Sequence, residues 1–156
     1  MATKAAEMKA EGIDVINFSV GEPDFNTPSH IIAAGQKAMD DGFTKYTAGP
    51  GMIEFRKAIC EKLKRENGIT YEPADILVSN GEKQSLYNVC QALFDTGDEV
   101  VVFRPYWVSF PEFVRLADAE PVLVDTVAEN NFEPDFDDLS NKITSNIKGV
   151  ILNSPS

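Results

Sequence analysis

What this sequence of 156 residues lacks narrows it quickly. It has no apolar run near the roughly 20 residues that span a bilayer, and no signal-peptide pattern opens it. Its MATKAAEMKAEG start has the spacing of an amphipathic helix instead. Basic residues are outnumbered: 14 Lys and Arg against 25 Asp and Glu leave a formal charge of −11. That balance argues against a nucleic-acid backbone or an anionic membrane as partner, although a local helix terminus can outweigh distant charge for a small phosphorylated molecule. Cysteine and histidine are scarce. Two cysteines and one histidine make no metal site. Cys60 and Cys90, each on the apolar face of a predicted helix, read as buried thiols rather than a disulfide. His30, just after a helix start, reads as a surface residue. A reduced, cytoplasmic setting is expected. No repeat, low-complexity tract, Walker-type pattern or GxGxxG occurs.

What is present is the composition of a globular chain, 43% hydrophobic and 25% charged. Its length suits one domain, able to bury roughly 68–70% of its unfolded surface. The stretch that organises it is DILVSNGEKQSLYNVCQALF, Asp75 to Phe94. Ile76-Leu77-Val78 reads as a strand and Asn80-Gly81 as a turn. Leu86, Val89, Cys90, Leu93 and Phe94 then form one apolar stripe of a helix beginning near Glu82 or Lys83. Such a junction offers an anion site. The first amides of a helix lack partners, the macrodipole is positive there, and Lys83, Gln84 and Ser85 add donors. The same residues also suit an ordinary strand–helix turn of an α/β protein, so both readings stand at this point.

Elsewhere, Thr3 to Gly12 reads as a helix, Val15 to Val20 as a strand, and Thr27-Pro28 as the N-cap and first residue of a helix ending near Asp41-Gly42. FTKYTAGPGM, from Phe43, has too many turn residues for regular structure, and a helix follows from Ile53 to Glu66. After the turn at Asp95–Asp98, Glu99-Val100-Val101-Val102-Phe103 is apolar enough for a strand covered on both faces. A helix over Ser109–Ala117, a strand over Pro121–Val124, a helix over Phe136–Ile143 and a strand over Gly149–Asn153 complete the pattern. From Asp75 onward this is β-α-β-α-β-α-β. The expected fold is α/β, a mostly parallel sheet with helices on both faces in three layers. Ligands of such sheets sit beyond the carboxyl ends of the strands. The loops at Ser79–Gln84, Arg104–Trp107 and Asn153–Ser156 should therefore gather at one edge.

Five segments together resemble one family: VGEPDF (20–25), KYTAGPG (45–51), SNGEKQSLYN (79–88), GDEVVVFRPYWVSFPE (97–112) and VILNSPS (150–156). Their order and approximate spacing are similar to those of the class I/II aminotransferases of the aspartate aminotransferase family, pyridoxal-phosphate enzymes of fold type I. The resemblance covers nearly the whole chain and is specific for the family rather than for a substrate. It implies pyridoxal 5'-phosphate as cofactor, an amino acid and a 2-oxo acid as substrates, and a homodimer. Gly21 resembles the glycine whose amide meets the substrate α-carboxylate; on its own it is a turn glycine. Tyr46 resembles the tyrosine that reaches the cofactor phosphate of the neighbouring subunit, where unaided it reads as a surface tyrosine. Gly81, Glu82 and Lys83 occupy the phosphate cradle. Trp107 resembles the aromatic residue stacked on the pyridine ring and placed beside the substrate; a lone Trp in a loop otherwise suits a core or an interface.

One departure stands in the cradle, where Glu82 takes a position that is usually small in the family. Its carboxylate is expected to point outward while its backbone amide serves the phosphate. The larger departure is an absence. The family's Schiff-base lysine, its acid for the pyridinium nitrogen, its tyrosine and its carboxylate-binding arginine all follow the NSPxNP motif, and this sequence stops inside that motif. Nothing here matches the lysine, so no residue is assigned a catalytic role, and Lys83 resembles a phosphate-side residue. The resemblance thus implies the N-terminal part of such an enzyme. Residues 1–26 would be a helix and link that go with the small domain, and 27–156 the first half of the large, cofactor-binding domain. Two alternatives are another fold-type-I reaction, such as a C–S β-lyase, and a non-catalytic α/β module binding a phosphorylated ligand through Gly81–Ser85.

Overall fold

The computed structural model describes residues 2–16 and 21–154. The chain divides into two compact units, one through Thr47 and one from Ala48 onward, and each is taken by itself.

The first unit holds two helices, α1 (Ala2–Ala10) and α2 (Ser29–Asp40). α2 starts a residue later than its sequence suggests. Pro28 is extended (φ −54°, ψ 139°) and its carbonyl accepts from the N–H groups of Ile31 and Ile32 at 2.9 and 3.1 Å, so Pro28, not Thr27, is the flanking residue. Lys37 and Asp41 pair at 2.6 Å in its last turn. His30 is exposed. Of the strand expected over Val15–Val20, Val15 and Ile16 lie in no regular element and residues 17–20 lie outside the described residues.

The second unit opens with α3 (Ile53–Lys62), which continues into one π-helical turn (Leu63–Asn67) and stops at Gly68. Its apolar residues are only partly covered, since Phe55 is half exposed. A 3-10 turn (Pro73–Asp75) leads to Ile76-Leu77-Val78. These residues enter no ladder among the described residues, a correction to the expected strand: Ile76 is extended (φ −103°, ψ 127°), but the N–H of Val78 donates to the carbonyl of Pro50 at 3.0 Å. α4 (Gly81–Leu93) follows, then β1 (Glu99–Phe103), α5 (Ser109–Arg115) and β2 (Glu120–Val124). A short hairpin, β3 (Thr126–Val127) and β4 (Glu133–Pro134), precedes α6 (Phe136–Lys142) and β5 (Ile147–Ile151). The sequence pattern held no sign of the hairpin, and β5 begins two residues before the strand expected from Gly149.

β1 is the middle strand of a parallel sheet ordered β2-β1-β5. Val100, Val101 and Val102 are at most 1% exposed, as a continuous apolar run in a parallel sheet requires. α5 packs on β1 and β2, α6 on β2, and α4 against α5. The stripe Phe110, Phe113, Val114 and Ala117 is buried throughout. Two core clusters meet at Phe94: Cys90 with Phe113 and Ala117, and Val100 with Val114 and Ala119. Burial pushes the Cys90 thiol pKa up, while Cys60 is only half-buried. The protein is α/β with a parallel sheet and packed helices, as its periodicity indicates.

Candidate functional site

The first turn of α4 is built by its backbone. Gly81 has φ +78°, a conformation in which a side chain is strained, and a Cβ placed there would meet nothing within 4 Å. The space beside this turn is therefore open to an approaching group. The N–H of Gly81 turns back to the carbonyl of Ser79 at 2.9 Å, and the side-chain oxygen of Gln84 accepts from the N–H of Asn80 at 2.6 Å. Among the described residues, no side chain caps the helix. By their place in the helix, the N–H groups of Glu82 and Lys83 have no intrahelical acceptor, and the macrodipole adds roughly half a positive charge. Just upstream, the Ser79 hydroxyl oxygen is buried with no hydrogen-bond partner among the described residues.

Lys83 reaches from this turn to the loop after β1. Its Nζ lies 5.2 Å from the centre of the Trp107 ring, within cation–π range. Trp107 belongs to the loop after β1 and is 39% exposed. Phe110 and Phe113 of α5 hold it in T-shaped contacts, with centroids at 5.5 and 6.1 Å. A planar indole is thus fixed from one side by α5 and met by a cation from α4. Glu82 is exposed and enters no ion pair among the described residues, so its carboxylate adds local negative charge beside the helix start.

The loops expected to converge do so in large part. A cavity of about 220 Å³ lies at the carboxyl ends of β1 and β5, between Arg104–Tyr106, Phe132 and Pro134 near the hairpin, and Leu152-Asn153. Arg104 is held by Asp125 at 3.0 Å, and the Thr126 hydroxyl donates to the Arg104 carbonyl. Residues 155 and 156 of the closing motif, like Val20 of the first, lie outside the described residues. The structure therefore joins Gly81, Glu82, Lys83 and Trp107 in one place. Gly21 and Tyr46 belong to the other unit, where both are exposed. Sequence reasoning placed Ser79 only within a converging loop and missed Phe110 and Phe113 as parts of the site. The two phenylalanines carried a signal, their spacing of three residues on the helix that starts next to Trp107. No group of His, Cys, Asp and Glu among the described residues is placed to hold a metal ion, and no described helix is long and apolar enough to cross a membrane.

Comparison with known proteins bears on the family and the fold. The family described as aminotransferase class I and II matches residues 13–156. The aspartate aminotransferase of Bacillus subtilis is 47% identical over the whole of this chain, and the aspartate/prephenate aminotransferase of Thermus thermophilus 44% identical over 98% of it. In each case the chain spans 40% of the relative's length. The structure of the Thermus thermophilus aspartate aminotransferase with maleate superposes with a TM-score of 0.91 at 43% identity, covering 99% of this chain and 41% of that one.

Proposed function

The chain belongs to the class I and II aminotransferases, and from that premise we propose that it serves transamination, the transfer of an amino group between an amino acid and a 2-oxo acid on pyridoxal 5'-phosphate. The observation that carries the reading is the uncapped first turn of α4, opened by Gly81 and joined to Trp107 through Lys83. The residues present fit the cofactor. A phosphate needs free amides and close backbone approach, which Gly81, Glu82 and Lys83 offer, and a planar ring needs an aromatic face, which Trp107 presents partly exposed. When bound, the cofactor supplies the electron sink for breaking a bond at the amino acid α-carbon.

The chain's own residues bind and orient. In this reading the N–H groups of Glu82 and Lys83 hold the phosphate, and Trp107 fixes the tilt of the ring and borders the substrate. Gly21 offers its amide to the substrate carboxylate, and Tyr46 reaches the phosphate of a second subunit in a homodimer. Residues 1–26 accompany a small domain, 27–156 form the first half of the large one, and the setting is cytoplasmic. The aspartate-acting relatives support a dicarboxylic amino donor.

The test is an assay of a full-length protein of the relatives' size containing this sequence, supplied with pyridoxal phosphate, aspartate and 2-oxoglutarate. Amino transfer at roughly 1–1000 per second is expected, while the chain of 156 residues by itself, at 40% of the relatives' length, gives none. Ammonia release without transfer would point to elimination chemistry and reject the proposal.

A further inference from the structure

We propose that Gly51 is a positioning residue for the phosphate cradle: by packing without a side chain against Val78, it fixes the segment that delivers Ser79–Gly81 to the start of α4. The inference rests on the reading of that turn as the cofactor's phosphate site. Ile76–Val78 has no ladder partner among the described residues. Among the described residues, the loop before α3 holds it. The carbonyl of Pro50 accepts from the N–H of Val78 at 3.0 Å. Gly51, whose N–H closes a turn onto the Ala48 carbonyl at 2.8 Å, has φ +98°. A Cβ on Gly51 would lie 2.8 Å from both Cβ and Cγ2 of Val78, closer than carbon atoms approach. Only a hydrogen fits between the Gly51 backbone and the Val78 side chain.

The clamp has a second point. Arg56, one turn into α3, donates from Nη1 to the carbonyl of Pro73 at 3.0 Å, at the upstream end of the same segment. The loop and first turn of α3 therefore grip residues 73–78 at both ends, and Val78 lies only three residues before Gly81. Displacing Val78 shifts the Ser79 carbonyl that receives the Gly81 N–H, and with it the direction of the first free amides. Misaiming one charge-assisted amide bond to a phosphate should cost roughly tenfold in affinity.

Trp107 is the only tryptophan in the chain and adjoins Lys83, so its fluorescence reports binding at the cradle. The experiment titrates the wild-type chain, Gly51→Ala and Val78→Ala with pyridoxamine 5'-phosphate and with pyridoxamine, which lacks the phosphate. Neither carries an aldehyde to react with surface lysines. The wild type should prefer the phosphorylated form. Gly51→Ala should lose about tenfold in affinity for it while binding pyridoxamine within about twofold of wild type. Val78→Ala, which loosens the contact without straining a backbone angle, should show a smaller loss of the same kind. Equal losses for both ligands, or an unchanged preference in both variants, would overturn the proposal. If Gly51→Ala does not fold, an unchanged preference in Val78→Ala is enough to overturn it. A wild type that binds both ligands equally would instead remove the cradle itself, and the role of Gly51 with it.

Discussion

Two neighbours in the cradle, Gly81 and Lys83, act through different physics. Gly81 contributes a backbone angle and an empty volume, Lys83 a mobile charge. A valine at φ +78° is strained by about 1–2 kcal/mol, and its side chain would occupy the space that a phosphate needs. Gly81→Val should therefore weaken pyridoxal phosphate binding by more than tenfold. Lys83 is exposed, and an exposed charge is worth up to about 1 kcal/mol, so Lys83→Ala should cost about fivefold at most. A cofactor titration followed by absorbance on both full-length variants checks the order, and equal affinities for Gly81→Val and wild type would place the phosphate elsewhere. The turn itself was legible, because Asn80-Gly81 between a short apolar run and a helical stripe marks where a helix begins, but those residues suit an ordinary strand–helix turn equally well. The Lys83–Trp107 contact was not, since nothing local links residues 24 apart.

α6 is tied to β2 by a small polar network. Asp135 caps the helix through the N–H groups of Asp137 and Asp138. Lys142 donates to the Leu123 carbonyl and to Asp138, both at 2.7 Å, and Asp138 accepts from the N–H of Asp125 at 2.9 Å. The Lys142 ammonium, then the Asp125 N–H, hold the Asp138 carboxyl below its usual pKa. A carboxylate whose folded pKa is depressed stabilises the fold above its unfolded pKa, and that contribution is lost as pH falls through the folded value. Asp138→Asn should thus unfold more easily than wild type at neutral pH, with the gap closing below about pH 4. Urea midpoints of both proteins across pH measure it; a gap that stays constant would show that the charge is irrelevant. Elements were legible where burial is one-sided or complete, as in β1 and α5. The β3–β4 hairpin was not, because two-residue strands are too short to show alternation. β5 was misplaced by two residues for a tertiary reason. Gly149, which looks like a strand boundary, lies inside the strand because the Phe94 ring approaches to 2.8 Å of where a Cβ would be.

The molecule as a whole follows the α/β alternation visible in its sequence, with the convergence of loops at the carboxyl ends of the strands. What could not be read was which strand stands in the middle, because hydrophobic runs report burial and not neighbours. That arrangement has a consequence in time. β1 draws both partners from later in the chain: Glu99 pairs with Glu120, and Val100 with Gly149. The second closure spans about twice the chain of the first, which adds roughly 0.6 kcal/mol of entropy. During synthesis at about 5–20 residues per second, β2 is also complete on the order of seconds before β5 exists. The β1–β2 pair with α5 between them should then be the nucleus, and β5 should dock late. In refolding kinetics, Val124→Ala in β2 should mainly slow folding, whereas Ile151→Val in β5 should mainly speed unfolding; the reverse pattern would reject this order. Until β5 docks, β1 keeps one side unpaired, and along that open side the unfinished sheet can pair with other molecules.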